Sequence, residues 1–339
     1  MLSEFVRKVK SFALARVLMT AIELDLFRHI QKKSLCREDL LDRLGVADSP
    51  IVDAFFEVLV NFKILSKEGG RLALAPLGKS VLPVYESIRS WNREMELFYA
   101  SLADLPQLLR TGRADNSALS NYWAYKKAAN RKELSANEVG DYSSVMDASQ
   151  EQLSKTILDT YDFSGHERII EFGGGYGRLA IALVEKYAHL KITVADLPAV
   201  CDRTRSFVDD AGLGERIKCL PVDFFTDGLP SQSADALMFV RVLHDWNDND
   251  VIELLERTKT CLKSRGTALI IEPMIDDSEA VNPSSVLSSL MVSLLGGRRR
   301  SVQEYIGMLK SAGYGEFSCL DCGLSIYRIV FARLEESVV

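Results

Sequence analysis

Beyond about residue 163, short apolar runs alternate with longer amphipathic stretches. The runs Arg168–Phe172, Lys191–Ala195, Ile217–Val222, Ala236–Leu243 and Thr267–Glu272 read as strands. The stretches 178–188, 199–211, 249–263 and 302–312 carry helical spacing. Strand and helix in alternation predict a parallel sheet covered by helices on both faces. The closing segments Glu316–Cys322 and Ser325–Arg333, joined around Gly323, read as a hairpin that adds an antiparallel edge. The expected fold is therefore α/β: a doubly wound, mostly parallel, Rossmann-like sheet with an antiparallel edge strand.

The first 83 residues follow another rhythm. Ala21–His29 has helical periodicity, and Arg37–Leu44 is a short helix stopped by Gly45. Ser49-Pro50 supplies a cap and a first-turn proline to a helix reaching Phe62. Ile64-Leu65 and Leu72-Ala73-Leu74, either side of Gly69-Gly70, read as a hairpin. Three helices and a hairpin make a winged-helix-like pattern. Its third helix, Ile51–Phe62, carries Asp53 and Glu57 and no lysine or arginine, which is the wrong charge for a DNA groove. Residues 1–83 are thus expected to form a winged-helix-like dimerisation domain, giving a homodimer that does not bind nucleic acid. Residues 84–160 read as a helical connecting and substrate-lining region rich in aromatics: Trp91, Phe98, Tyr99, Tyr122, Trp123, Tyr125 and Tyr142. Most are expected in packing, with one or two facing a flat substrate. Asn130–Glu133 looks like an exposed break. Residues 161–339 form the sheet domain.

Composition narrows the class of protein. A chain of 339 residues exceeds one usual core, and 47% hydrophobic with 26% charged residues is ordinary for a globular protein. A net charge of −6 disfavours nucleic acid or an anionic membrane as the main partner. No apolar run approaches the roughly 18 residues that span a bilayer. The start of the chain, with Glu4, Arg7, Lys8 and Lys10, lacks a signal-peptide pattern, so a cytoplasmic location is expected. Cys319 and Cys322 form a CxxC inside a predicted strand, with none of the four histidines nearby, so no metal is expected.

The chemistry gathers at the predicted strand ends. Glu171-Phe172-Gly173-Gly174-Gly175-Tyr176-Gly177 joins a strand to a helix, the arrangement that brings backbone N–H groups against a nucleotide-like ligand. Arg178 stands where a dinucleotide loop has its third glycine. Glu171 opposes a pyrophosphate and suits a cationic nucleoside, of which S-adenosylmethionine is the natural candidate. Asp196-Leu197 ends the second strand, where a carboxylate can accept ribose hydroxyls. Asp223-Phe224 ends the third and suits an adenine edge. His244 ends the fourth and Glu272 the fifth. An imidazole there can take a hydroxyl proton at neutral pH, and a carboxylate beside it would fix its tautomer.

In order, Glu171–Gly177, Val194-Ala195-Asp196-Leu197-Pro198, Asp223-Phe224-Phe225, Leu243–Asp248 and Gly296–Ser301 occur along the chain. Together they resemble class I S-adenosylmethionine-dependent O-methyltransferases of the caffeate/acetylserotonin type, in their bacterial secondary-metabolite branch. The resemblance implies that Glu171, Gly173, Gly175, Asp196, Leu197, Asp223 and Phe224 hold S-adenosylmethionine. It implies His244 as general base with Glu272 beside it, and a hydroxylated, aromatic small-molecule acceptor. Plant members carry a second glutamate where this chain has Arg299, so that arginine either lowers the basicity of His244 or points outward. Alternatively Arg298 or Arg300 meets an acidic acceptor, or the three arginines form a solvated loop. Ser289, Leu290 and Leu294 would give an apolar acceptor wall, and Arg299 counts with Leu290 and Leu294 as a candidate acceptor-side residue. Relatives of this shape also methylate carbon or nitrogen, or hydroxylate and cyclise without methyl transfer; a ligand-sensing DNA-binding regulator is the remaining alternative.

Overall fold

The computed structural model describes residues 1–103, 105–111, 123–275, 283–294, 296–323 and 326–335; Tyr122 and the side chains of Trp91 and Tyr142 lie outside that description. The chain divides into two compact units, Met1–Tyr99 and Ala100–Val339.

In the first unit, helices Leu2–Glu23, Leu26–Ile30, Arg37–Leu44 and Pro50–Asn61 accompany a three-stranded antiparallel sheet. Its strands are β1 (Leu35–Cys36), β2 (Leu65–Glu68) and β3 (Arg71–Leu74), in the order β1-β3-β2. Leu26, Leu35, Leu40, Leu59 and Leu65 fill its core. Gly69 and Gly70, at φ 55° and 76°, make the β2–β3 turn. The helix expected over Ala21–His29 is broken in two. Asp25 adopts the left-handed conformation (φ 56°), and its carboxylate accepts a 2.8 Å hydrogen bond from the Tyr85 hydroxyl. Local polar contacts at Asp25 thus accompany the interruption of an apolar periodicity that runs straight through the break. The first helix leaves Leu2, Phe5, Val9 and Phe12 exposed along it.

The second unit is built on a seven-stranded sheet. Its strands are β4 (Arg168–Phe172), β5 (Lys191–Asp196), β6 (Ile217–Pro221), β7 (Ala234–Val240), β8 (Leu262–Pro273), β9 (Tyr314–Asp321) and β10 (Tyr327–Leu334). The order is β6-β5-β4-β7-β8-β10-β9, with β4 to β8 parallel and β10 antiparallel to both neighbours. Alternate side chains enter two layers. Ile169, Val194 and Met238 join Leu153, Leu183 and Val208 on one face. Ile170, Phe172 and Phe239 join Leu254, Tyr305 and Leu309 on the other. The strand order reverses between β4 and β7, and such a reversal opens a crevice at the carboxyl ends of the strands.

Strand β7 stops at Val240, short of the expected Leu243. Arg241 takes φ 57°, and a single 3-10 turn covers Leu243–Asp245. A left-handed arginine costs on the order of 1 kcal/mol and persists only where its surroundings hold it. Its N–H donates to the Ile271 carbonyl at 3.0 Å, and its guanidinium donates to Met146 O at 2.8 Å and Gln150 Oε1 at 2.6 Å. The chain therefore leaves the sheet just before His244. Among the described residues no helix is long and apolar enough to cross a membrane.

Candidate active site

The glycine loop after β4 is stitched to the end of β5. Gly173 N–H donates to the Ala195 carbonyl at 2.8 Å, Gly175 N–H to Asp196 Oδ2 at 2.9 Å, and Thr204 Oγ1 to the Gly175 carbonyl at 2.7 Å. Gly173 has φ 68°, and a Cβ there would stand 2.6 Å from Val242 Cγ2, so both conformation and space require glycine. Glu171 lies beneath this loop. It is 2% exposed, and its Oε2 has no hydrogen-bond partner among the described residues. Burial, reinforced by the neighbouring Asp196, pushes its pKa up to about 8. Asp196 accepts a second N–H, from Leu197 at 2.8 Å. Its pKa is raised to about 6 because enclosure outweighs the two N–H bonds. Two carboxylates facing one enclosed space favour a cationic ligand there.

Asp223, expected at an adenine edge, is held by a residue that the sequence pattern had left outside. Arg131 Nη1 donates to its Oδ2 at 3.1 Å, and Phe225 N–H donates to its Oδ1 at 3.0 Å. The guanidinium also lies 5.2 Å from the Phe225 ring centre and 5.3 Å from that of Trp246. Arg131 Nε donates to the Tyr125 carbonyl at 3.0 Å, and Tyr125 OH donates to Asp245 Oδ2 at 2.6 Å. The segment Asn130–Glu133 is therefore an exposed break only in part. Its arginine turns inward, and a cation in a short polar stretch gives no periodic signal to foretell that.

The histidine sits between two carboxylates. His244 Nδ1 is hydrogen-bonded to Glu272 Oε2, and its Nε2 lies 3.5 Å from Asp245 Oδ1. Glu272 is fully buried, and its Oε1 accepts the N–H groups of Val242 (2.8 Å) and Leu243 (2.7 Å). Burial pulls the His244 pKa down, but the two carboxylates outweigh it and the result lies above the ordinary 6.5. The opposing cation is Arg241 rather than the expected Arg299. Asp245 thus supplies a second acid beside the ring, a role that the sequence comparison of the arginine block had left vacant.

The arginine block clamps the histidine loop. Arg299 is 2% exposed and donates to the carbonyls of Pro273 (3.1 Å) and Met274 (2.9 Å) and to Ser289 Oγ (3.3 Å). It is neither an outward arm nor a solvated residue: its guanidinium grips backbone. Arg300, with no exposure at all, donates to the carbonyls of Leu243 (3.0 Å) and Trp246 (2.8 Å) and to Asp248 Oδ1 (2.7 Å). Arg298 is the exposed member and pairs with Asp248 and Glu304. Gly297 passes so close that a Cβ would stand 2.3 Å from the His244 carbonyl oxygen.

Glu171, Gly173, Gly175, Asp196, Leu197, Asp223 and Phe224 all border one cavity with about 1100 Å³ of empty space, its open mouth included. Tyr125, Arg131, Tyr176, Asp245 and Trp246 complete much of that border. His244, the chain neighbour of Asp245, has 14% side-chain exposure, and neither it nor Glu272 borders the cavity itself. Leu290 is half-buried and Leu294 is buried, and neither borders the cavity.

Residues 103–315, well over half of the chain, match the O-methyltransferase domain model. The chain belongs to the O-methyltransferase family. S-adenosylmethionine is that family's methyl donor. A mitomycin biosynthesis 6-O-methyltransferase of Streptomyces lavendulae is 34% identical over 52% of this chain and 50% of its own length. The match thus spans about half of that relative. The N,N-dimethyltransferase OxyT of Streptomyces rimosus is 28% identical over 88% of this chain and 87% of its own. Human N-acetylserotonin methyltransferase, solved in complex with S-adenosylmethionine, shares the fold with a TM-score of 0.81, at 24% identity over 99% of this chain and 98% of that one.

The clamp makes a prediction about stability within this O-methyltransferase fold. Arg300→Ala leaves two buried carbonyls without their donor, a loss on the order of 3 kcal/mol. Urea unfolding followed by circular dichroism should show it; a midpoint within error of the parent would show that Arg300 does not hold the loop.

Proposed function

We propose that this chain transfers the methyl group of S-adenosylmethionine to a hydroxyl of a small aromatic secondary metabolite, with His244 as general base. The observation that carries this reading is the His244–Glu272 bond, one residue along the chain from Asp245 on the border of a cavity that Glu171 and Asp196 also line. The cavity suits the donor: an unpartnered buried acid meets a cationic ligand, and the glycine loop leaves room for close approach. Bound there, S-adenosylmethionine supplies an electrophilic methyl group on a sulfonium.

In this reading Glu171, Gly173 and Gly175 take the methionine end, Asp196 and Leu197 the ribose, and Asp223 and Phe224 the adenine. The bond from Nδ1 to Glu272 leaves Nε2 as the basic nitrogen. Nε2 accepts the acceptor's hydroxyl proton, and Glu272 and Asp245 stabilise the imidazolium that forms. The remaining work is alignment of oxygen with methyl carbon, to which the rigid loop contributes. Tyr125, Tyr176 and Trp246 on the border support an aromatic acceptor. An amine acceptor is the second reading, favoured by the match to OxyT along most of its length.

Residues 1–83 are proposed as the dimerisation module of a homodimer, supported by the exposed Leu2, Phe5, Val9 and Phe12 on one helix. The double substitution F5D/F12D should convert dimer to monomer in light scattering behind a sizing column. A dimer that survives it would locate the interface elsewhere.

Activity is tested with methyl-labelled S-adenosylmethionine and a panel of phenols, quinols and aromatic amines. Label transfer to a phenol is expected; transfer to amines alone would overturn the hydroxyl reading. His244→Ala should lower turnover at least a hundredfold while the cofactor Kd stays within twofold. Full turnover in that variant would remove His244 from the chemistry. Asp196→Ala should weaken cofactor binding at least tenfold, read by calorimetry, through loss of the loop bond and the ribose acceptor.

A further inference from the structure

Glu171 is an acid on the cavity border whose burial is not matched by a hydrogen bond to Oε2 among the described residues. Glu272 receives three donors, Asp196 two backbone N–H groups, and Asp223 an arginine and an N–H. Glu171 Oε2 is buried and unpartnered among the described residues, directly under the loop: a Cβ on Gly174 would meet it at 2.9 Å. Its carboxyl nevertheless borders the cavity. Placing a bare carboxylate there costs several kcal/mol, and proton uptake removes that cost.

We propose that Glu171 is a proton-exchanging charge sensor that discriminates the cationic methyl donor from the neutral thioether left after transfer. The proposal rests on S-adenosylmethionine being the ligand of this cavity. Without ligand, Glu171 holds a proton at neutral pH. A sulfonium ligand in the cavity lets Glu171 ionise and release that proton to solvent. Once the methyl group has left, the sulfur is uncharged, and Glu171 takes a proton back. Binding strength for the spent cofactor thereby falls relative to the donor, which favours turnover.

The other charged groups around the cavity do not provide this response. Arg178, at the start of the helix after the loop, is paired with Asp147 of the helix Ala136–Thr160 at 2.5 Å. Arg131 is paired with Asp223. Arg241 donates to Met146 and Gln150, and Asp245 accepts from Tyr125. Glu138, on the Ala136–Thr160 helix, closes its own capping box with Ser135. Asp196 is the charge that acts on Glu171, and it pushes in the same direction as burial, towards the protonated form. Since the ribose that Asp196 faces and the ammonium of the methionine end are common to donor and product, the sulfonium charge is what distinguishes the two ligands at Glu171.

The sign of the effect follows from linkage. With Glu171 at about 8 in the free protein, a ligand that favours the ionised form binds more tightly as pH rises toward that value. Between pH 6 and pH 7 the Kd for S-adenosylmethionine should tighten about tenfold relative to that for S-adenosylhomocysteine. Titration calorimetry of the full-length protein at pH 7, in buffers of different ionisation enthalpy, counts the protons. Donor binding should release close to one proton, and S-adenosylhomocysteine close to none. Glu171→Gln, which copies the protonated acid in shape, should abolish the release and bring the two affinities together. Equal release for both ligands, or release that persists in Glu171→Gln, would overturn the proposal while leaving the cofactor reading intact. Failure of both ligands to bind the parent protein would overturn that reading and the proposal with it.

Discussion

Glu272 has no contact with solvent, and its two oxygens are taken up by three donors of one loop: the N–H groups of Val242 and Leu243 and the ring of His244. A buried carboxylate in that position is costly unless every bond is made. The loop after β7 is therefore pinned from beneath by an acid at the end of β8. It is pinned from the side by Arg300, whose guanidinium takes the carbonyls of Leu243 and Trp246. The left-handed Arg241 turns the chain out of the sheet so that both grips are possible. Remove Glu272 and the histidine loses its orientation, the loop two bonds, and Arg300 a fixed target.

The same economy of charge runs along the rim. Each strand end carries an acid, and each acid has a different partner: the glycine loop for Asp196, Arg131 for Asp223, His244 for Glu272. Glu171, on the border of the cavity, has a buried Oε2 with no hydrogen-bond partner among the described residues. Strand order makes this possible, since the reversal between β4 and β7 leaves the loops after the two strands to diverge and open a space between them.

Much of this was legible in the sequence. Short apolar runs between helical stretches mark the five parallel strands to within a few residues, except that β7 ends three residues early and β8 begins five residues early, at Leu262. Acids at strand ends are visible because they interrupt apolar runs, and so Glu171, Asp196 and Asp223, which border a single cavity, stand out in the sequence. The parts that were not legible depend on single long-range polar contacts. Asp25 breaks a helix where Tyr85 reaches it from 60 positions away. Arg131 turns inward because Asp223 is there, and Arg299 and Arg300 are buried because carbonyls of distant segments receive them. Three arginines in a row look solvated in a sequence, since their acceptors are backbone atoms that every residue possesses.

In the proposed mechanism His244 is a base whose proton affinity is set by Glu272. A nitrogen-15 imidazole titration by NMR measures this directly. In the parent protein the His244 midpoint should lie above 6.5, with Nδ1 protonated throughout, and in Glu272→Gln it should fall as the carboxylate's attraction is lost. A midpoint that does not move between the two proteins would contradict the account.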